Sequence, residues 1–355
     1  MTPDDLRAAL SLRDLTDPAA GQHAIQHVVA AIENALARTW GVPVRRDPGP
    51  RVVPIADNYD RLRYSAGAVT RDRRYTRYVD DTHMLRSHTT ARVPALLDAH
   101  ETGDVLLSVP GVVYRRDAIG HRHVGEPHQL DLWRVSRDGP ALTGADLIHM
   151  IATVVDAVLP GHPWRTVPNN HPYTLHGREI YVGDVEIGEC GLAHPEVLGR
   201  GSGLAMGLGL DRLTMLAKGV DDIRLLRATD PRIASQMRDL SPYRPVSSMP
   251  AVHRDLSLAV AADLDADLLG DRVRVLLGPD AAAVEAITIR SQTEYADLPE
   301  SARQRMGVRP GQKNILLRVV LRDLSRTLTS GEANALRDRV YAGLHEGSAY
   351  EWTTT

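Results

Sequence analysis

The run GLAMGLGLDRLTML sets Gly203, Gly207 and Gly209 in an otherwise apolar stretch and then presents the charged pair Asp211-Arg212. Glycine in a strand gives up side-chain packing and adds chain entropy, so it marks a place where something approaches the backbone closely. The residues leave two readings open: a floor cleared for a ligand, or a bulge that leads into a helix N-terminus. Histidine clusters in HRH and NNHP raise the question of a metal. With a single cysteine, Cys190, and no helix-spaced histidine pair beside a carboxylate, loop and substrate roles suit them better.

The elements that must position these groups follow from hydrophobic spacing. In AIQHVVAAIENALARTW, Ile25, Val28, Val29, Ile32 and Leu36 fall on one helical stripe, which predicts a long packing helix. Residues 53–97 read as loops with short elements. Two strand-like runs, VLLSVPGVVYRRD and PHQLDLWRVS, flank a polar loop and predict a hairpin. A helix at GADLIHMIATVVDAVL and strands at EIYVGD and EIGECGLA lead to the glycine run. A strand-rich middle with hairpin order, flanked by helices, predicts an α+β fold with a mixed antiparallel sheet.

DLSPYRPVSSMP discourages regular structure and is expected to be a linker. The chain then divides into 1–240, a linker at 241–249, and 250–355. In the last part, RDLSLAV, a helix at 265–277, VEAITI, NILLRVVL, a helix opened by the Thr329/Glu332 capping box, and AYEWT give strand-helix-strand-strand-helix-strand. That order is the ferredoxin-like α/β sandwich.

Bulk composition bounds the rest. A chain of 355 residues suffices for about two domains. The net charge of -3, and 13 Lys+Arg against 15 Asp+Glu in the last 107 residues, give no basic field of the kind that announces nucleic acid. One cysteine fits a reducing compartment, and no secretory signal or run of ~20 apolar residues is present, so a cytoplasmic protein without a membrane partner is expected. Arginine outnumbers lysine 40 to 2, the mark of a GC-rich coding sequence. Phenylalanine is absent, although 11 tyrosines and 4 tryptophans are present.

Taken together, SHTTA (87–91), YRRDAIGHRHVGEPHQLDLW (114–133) and the glycine run give an arginine-bearing hairpin, then an acidic strand, then a glycine strand entering a Gly-x-Asp-Arg helix. That order resembles the class II aminoacyl-tRNA synthetase core, and in detail the phenylalanyl-tRNA synthetase family. RDLSLAV and SRTLTSGEANALRDRV resemble that family's ferredoxin-fold anticodon-binding domain. The whole is most similar to its compact single-chain organellar form, which implies a monomer, although class II cores often form homodimers.

The resemblance implies ATP-dependent activation of phenylalanine, or a close aromatic analogue, as an aminoacyl adenylate, with transfer to tRNA(Phe). It implies that Arg115 holds the α-phosphate and substrate carboxylate, that His123 lies near the phosphates, and that Arg212 lies against ATP over Gly207 and Gly209. Glu186 matches the acidic strand position that would bind magnesium, an ion suited to hard oxygen ligands. His88, Thr90, Gln129 and Asp131 match the groups that accept the substrate amino group, with Asp131 one methylene shorter than the family's glutamate.

The departures are chemical as well. The family's Phe-Pro-Phe reads His171-Pro172-Tyr173 here, while Ala205 matches the small pocket residue. Pro127 replaces the ring that would stack on adenine, a contact worth ~1 to 3 kcal/mol, and Gly120 stands where an aspartate is usual. Aromatic replacements at His171 and Tyr173 keep ring contact, and their polar atoms can meet a substituted ring. Two other functions remain in view: a biosynthetic enzyme adenylating an aromatic amino acid for a non-translational acceptor, and a non-catalytic tRNA- or nucleotide-binding paralogue. As a synthetase, a phenylalanine-free chain is translated faithfully even when phenylalanyl-tRNA is scarce or wrongly charged, which fits a resistance or specialised paralogue.

Overall fold

The structure, a computed structural model, describes residues 1–246 and 249–350. Two compact units divide the chain, and neither is continuous. The first takes residues 1–115, 126–221 and 234–244; the second takes 116–125, 222–233 and the described part of 245–355. The expected linker at 241–249 is thus shared between them, and Ser247 and Ser248 lie outside the described residues.

In the first unit the strands are β1 (Val44–Arg46), β2 (Val52–Pro54), β3 (His83–Leu85), β4 (Asp104–Val112), β5 (His128–Ser136), β6 (Trp164–Pro168), β7 (Thr174–Val182), β8 (Val185–Ala193) and β9 (Ser202–Gly209). Seven of them form one sheet in the order β1-β4-β5-β9-β8-β7-β6. Its pairings are antiparallel except for β1 beside β4. β2 and β3 form a separate two-stranded ribbon. The expected hairpin is therefore β4–β5, and the glycine run is the central strand β9 continuing into the helix Leu210–Lys218.

Alternation decides what each face of that sheet does. Leu106, Leu130, Leu132, Leu204, Met206, Leu208 and Cys190 point to one face and pack under the helices Ala24–Trp40, Gly144–Val158 and Leu210–Lys218. The stripe Ile25, Val28, Val29, Ile32 and Leu36 is wholly buried there. Each such side chain contributes about 1.5–3 kcal/mol on burial. The alternate residues Leu107, Val109, Trp133, Val135 and Ala205 point to the other face, against Leu62, Val93, Leu96 and Tyr173.

Without phenylalanine, the large rings at full depth are Trp133, Tyr59 and Tyr114. Each brings a polar atom that burial obliges to find a partner. The Tyr59 hydroxyl donates to the Thr70 carbonyl at 2.7 Å, that of Tyr114 to the Ala9 carbonyl at 3.0 Å, and the Trp133 indole to Asp131 at 2.6 Å.

The second unit pairs β10 (Val252–Ala261), β12 (Gln312–Leu321) and β11 (Val284–Glu294) antiparallel, in the order β10-β12-β11. The helices Ala266–Leu277 and Ser330–Leu344 accompany it, the latter opened by the reciprocal Thr329–Glu332 capping box. A further helix, Glu300–Met306, stands between β11 and β12. The closing strand expected at AYEWT falls on Ala349 and Tyr350, which are not in a strand, and on residues outside the described ones. Segment 116–125 is bound to the first of those helices. Arg116 pairs with Asp271 at 2.9 Å, and Arg274 donates to the Ala118 carbonyl at 2.6 Å. Asp267 accepts from the Ala118 N–H at 3.2 Å.

Close strand approach makes one glycine indispensable. A β-carbon at Gly188 would stand 2.1 Å from the Gly207 carbonyl oxygen and 3.0 Å from the Leu208 Cα, both backbone atoms of β9. Gly188→Ala should therefore destabilise the first unit by at least about 1–3 kcal/mol, the usual scale of overpacking. A lowered denaturation midpoint checks this; an unchanged midpoint refutes the close approach.

Candidate active site

The face of the seven-stranded sheet away from the long helices carries the candidate residues. Register brings them into a row. Asp131 on β5 faces Gly207 on β9, and Gly207 faces Glu189 on β8. One step along, Gln129 faces Gly209; one step back, Trp133 faces Ala205, which faces Gly191. The glycines of the run therefore lie on this face. A β-carbon at Gly207 would meet Asp131 Oδ2 at 3.6 Å and Glu189 Cγ at 3.7 Å, ordinary contact distances. Gly207 is a floor between two carboxylates, whereas Gly203 is closed in by packing: a β-carbon there would stand 3.1 Å from the Ala193 side chain.

A bulge aims Glu186. On β8 the register with β7 runs Ile180–Gly188 and then Tyr181–Glu186, skipping Ile187. Ile187 turns into the helix-covered core with Cys190 and Val185. Simple alternation from Glu189 would have sent Glu186 into that core; the extra residue returns it to the open face, a known use of bulges beside sites. There Glu186 pairs with Arg212 at 2.7 Å, and Arg212 also donates to the Glu186 carbonyl at 3.1 Å. The preceding residue, Asp211, is buried and accepts from the His128 N–H at 2.5 Å, which ties the start of β5 to the helix that carries Arg212. Pro127 precedes that junction, its carbonyl bound by the Val113 N–H at 2.9 Å.

Asp131 is buried, accepting from the Thr90 hydroxyl at 2.5 Å and from the Trp133 indole at 2.6 Å. Burial outweighs these donors and raises its pKa to about 7. Thr90 belongs to the short turn Thr89–Arg92, whose Thr89 N–H reaches the Gln129 side-chain oxygen at 3.4 Å. His88, at the head of that turn, is pushed down to about 3 by burial and then by the Arg115 charge, so it is neutral. Arg115 is exposed and anchored through Nε to the Ser87 carbonyl at 2.7 Å. Its charge also helps hold Glu189 down.

The third wall is aromatic and polar at once. Tyr173 stacks with Trp133 at 6.3 Å and with His171 at 6.0 Å. Tyr64 stacks on His88 at 5.7 Å and tilts toward Tyr173 at 6.5 Å. His171 Nε2 lies 2.8 Å from Glu189 Oε2, and the Tyr173 hydroxyl donates to Glu189 Oε1. Burial pushes the Glu189 pKa up, but His171, the Tyr173 hydroxyl and Arg115 override it and bring it to about 2. Burial likewise lowers that of His171, and the Glu189 carboxylate more than reverses it, leaving it raised.

The first unit thus gathers His88, Thr90, Arg115, Gln129, Asp131, His171, Tyr173, Glu186, Ala205, Gly207, Gly209 and Arg212 on or beside one sheet face. His123 belongs to the second unit, in the turn where its N–H meets the Gly120 carbonyl at 3.0 Å. Three residues were missed. Tyr64 gave no signal in a loop-rich segment. Trp133 was legible as the alternate position beside Asp131, whereas Glu189, an odd number of residues from Glu186, is placed on this wall only by the bulge in the structure.

No group of three or more His, Cys, Asp or Glu residues that could hold a metal occurs among the described residues. Glu186 is a single, partly exposed carboxylate on the open face. This fits magnesium, which takes one or two carboxylates and completes its shell from phosphates and water.

With this geometry in view, the match to the family described as tRNA synthetases class II core domain (F), over residues 10–237, identifies the class: the chain belongs to that family. Within it, the enzyme is phenylalanine–tRNA ligase-like. It is 27% identical over 355 residues to the probable mitochondrial phenylalanine–tRNA ligase of Drosophila melanogaster, spanning 81% of this chain and 74% of that protein. It is also 27% identical over 311 residues to the chloroplastic/mitochondrial phenylalanine–tRNA ligase of Arabidopsis thaliana, with 81% and 68% covered. Among solved structures, the pyrrolysyl-tRNA synthetase from Desulfitobacterium hafniense aligns with a TM-score of 0.48 and 15% identity, covering 64% of this chain and 78% of that one. Among the described residues no helix is long and apolar enough to cross a membrane.

Gly207→Ala separates floor from fold. Its new methyl meets only ordinary contacts, so the denaturation midpoint should stay near that of wild type while the KM for the amino acid rises at least about tenfold, the scale of 1.4 kcal/mol of lost binding. A KM unchanged for both the amino acid and ATP would mean that no ligand lies over Gly207.

Proposed function

We propose that the first unit joins an aromatic amino acid to ATP and that the chain transfers it to tRNA(Phe). The observation that carries this reading is the arrangement around Asp131. A buried carboxylate with a donor-lined turn stands at one end of a glycine floor, with rings along one side and Arg115 beside them. Matches to phenylalanine–tRNA ligases over most of the chain support the same reading.

The substrate carboxylate displaces pyrophosphate from the α-phosphorus of ATP, and a terminal ribose hydroxyl of the tRNA then displaces AMP. Asp131, with Thr90, His88 and Gln129, holds the substrate ammonium. Arg115 grips the carboxylate and α-phosphate, so that charge developing between them meets a fixed cation. Arg212 lies against the nucleotide over Gly207 and Gly209, with Pro127 beside the base. Magnesium, when bound, supplies positive charge to phosphate oxygens, and Glu186 would hold it. Ala205, His171 and Tyr173 bound the side chain. The second unit reads the anticodon. On this reading the enzyme acts in the cytoplasm, as a monomer or homodimer.

ATP–pyrophosphate exchange with aromatic amino acids, followed by tRNA charging, tests the reading. Arg212→Ala should lower kcat/KM by roughly 10²–10³, as for removal of a preorganised charge partner; absence of exchange with any aromatic amino acid overturns it. Protonation of Asp131 near pH 7 removes the ammonium acceptor. The amino-acid KM should therefore climb roughly tenfold for each pH unit below about 7, and Asp131→Asn should give a high KM without that slope. A wild-type KM that is flat between pH 5.5 and about 8 assigns the ammonium elsewhere.

A further inference from the structure

Glu189 has no part in the roles assigned above, yet it occupies the centre of the wall. A β-carbon at Gly207 would stand 3.6 Å from Asp131 Oδ2 and 3.9 Å from Glu189 Oε1, so the two carboxylates flank one point over the floor. The Glu189 side chain keeps 39% of its surface accessible, although dehydration by surrounding protein is the largest influence on its ionisation. Accessible surface within dense protein belongs to the wall of a recess. His171 and Tyr173 each engage one of its oxygens. A carboxylate offers about four lone-pair positions, so both oxygens retain acceptor capacity.

A second observation is independent of Glu189. His88 is only 9% exposed, and beyond a backbone contact with Asn58 neither of its ring nitrogens makes a hydrogen bond of good geometry. Its ring face is occupied by Tyr64, the ring that also tilts against Tyr173. Buried polar atoms in native proteins have partners as a rule. A buried imidazole with capacity to spare and an accessible carboxylate on the same aromatic wall belong to a recess that is completed by a polar ligand.

We propose that this wall selects an amino acid whose aromatic ring carries a hydrogen-bond donor, a hydroxyl or an amine, with Glu189 as its acceptor, and that unsubstituted phenylalanine is the poorer substrate. The inference rests on the amino-acid-activating reading above. A bare benzene ring entering the recess strips water from the Glu189 carboxylate and returns nothing, whereas a ring donor replaces the lost hydrogen bond. The penalty falls on the unsubstituted ring, which is how sites built to pair a polar group discriminate. Tyr173 and His171 act as positioning residues, fixing the Glu189 rotamer from both sides.

The test is ATP–pyrophosphate exchange by the full chain with phenylalanine, tyrosine, meta-tyrosine and 4-aminophenylalanine. At least one donor-bearing ring should exceed phenylalanine in kcat/KM by about 10²-fold or more. Glu189→Gly should raise phenylalanine and lower that substrate, bringing the ratio to about one or below. Glu189→Gln, which keeps the volume, should reduce the ratio, with denaturation midpoints measured for both variants. The wild-type ratio needs no variant to fold. Phenylalanine preferred over all three analogues by the wild type overturns the proposal and leaves amino-acid activation standing. Exchange with none of the four overturns both.

Discussion

Three strands in register hold the candidate site together. Hydrogen bonding of β5 to β9 and of β9 to β8 sets Asp131, Gly207 and Glu189 side by side. Because strand side chains alternate, a slip of one residue on any of the three would send its member of the row into the helix-covered core. The apolar alternates Leu130, Leu132, Met206, Leu208 and Cys190 oppose that slip, since each would be exposed by it. The hydrophobic core thus specifies the position of charged groups on the face it does not touch.

The two carboxylates of that row sit in opposite electrostatic states. Asp131 has neutral donors, a hydroxyl and an indole, and dehydration dominates, so its pKa is raised to about 7. Glu189 has a histidine and a nearby arginine, and although dehydration acts on it too, the net pKa falls to about 2. Separation of this kind between neighbouring acids is how one surface assigns them different tasks. One acid is poised to change with proton supply, and the other keeps a fixed charge at neutral pH.

Much of this was legible in the sequence, for reasons that differ by element. The stripe from Ile25 to Leu36, the hairpin and the Thr329–Glu332 cap are local patterns, and local patterns survive folding. The resemblance to phenylalanyl-tRNA synthetases then identified most of the positions that the sheet gathers. Two things were not legible. The bulge at Ile187 exists only as a relation between β7 and β8, so it was hidden that Glu186 and Glu189, three residues apart, share a face. The division of the chain was hidden too. Segments 116–125 and 222–233 join the second unit through contacts distant in sequence, such as Arg116 with Asp271, so no single break in composition could mark it.

The buried rings have a mechanical consequence. A phenyl group can turn or slide within a core at little cost because nothing distinguishes its far end. The deep rings of Tyr59, Tyr114 and Trp133 each end in a pinned polar atom. Rotating any of them out of place leaves a donor stranded. Interior packing here is therefore keyed as well as filled, and the walls of the recess inherit that rigidity through Trp133, which is locked at once to Asp131 by its nitrogen and to Tyr173 by its face.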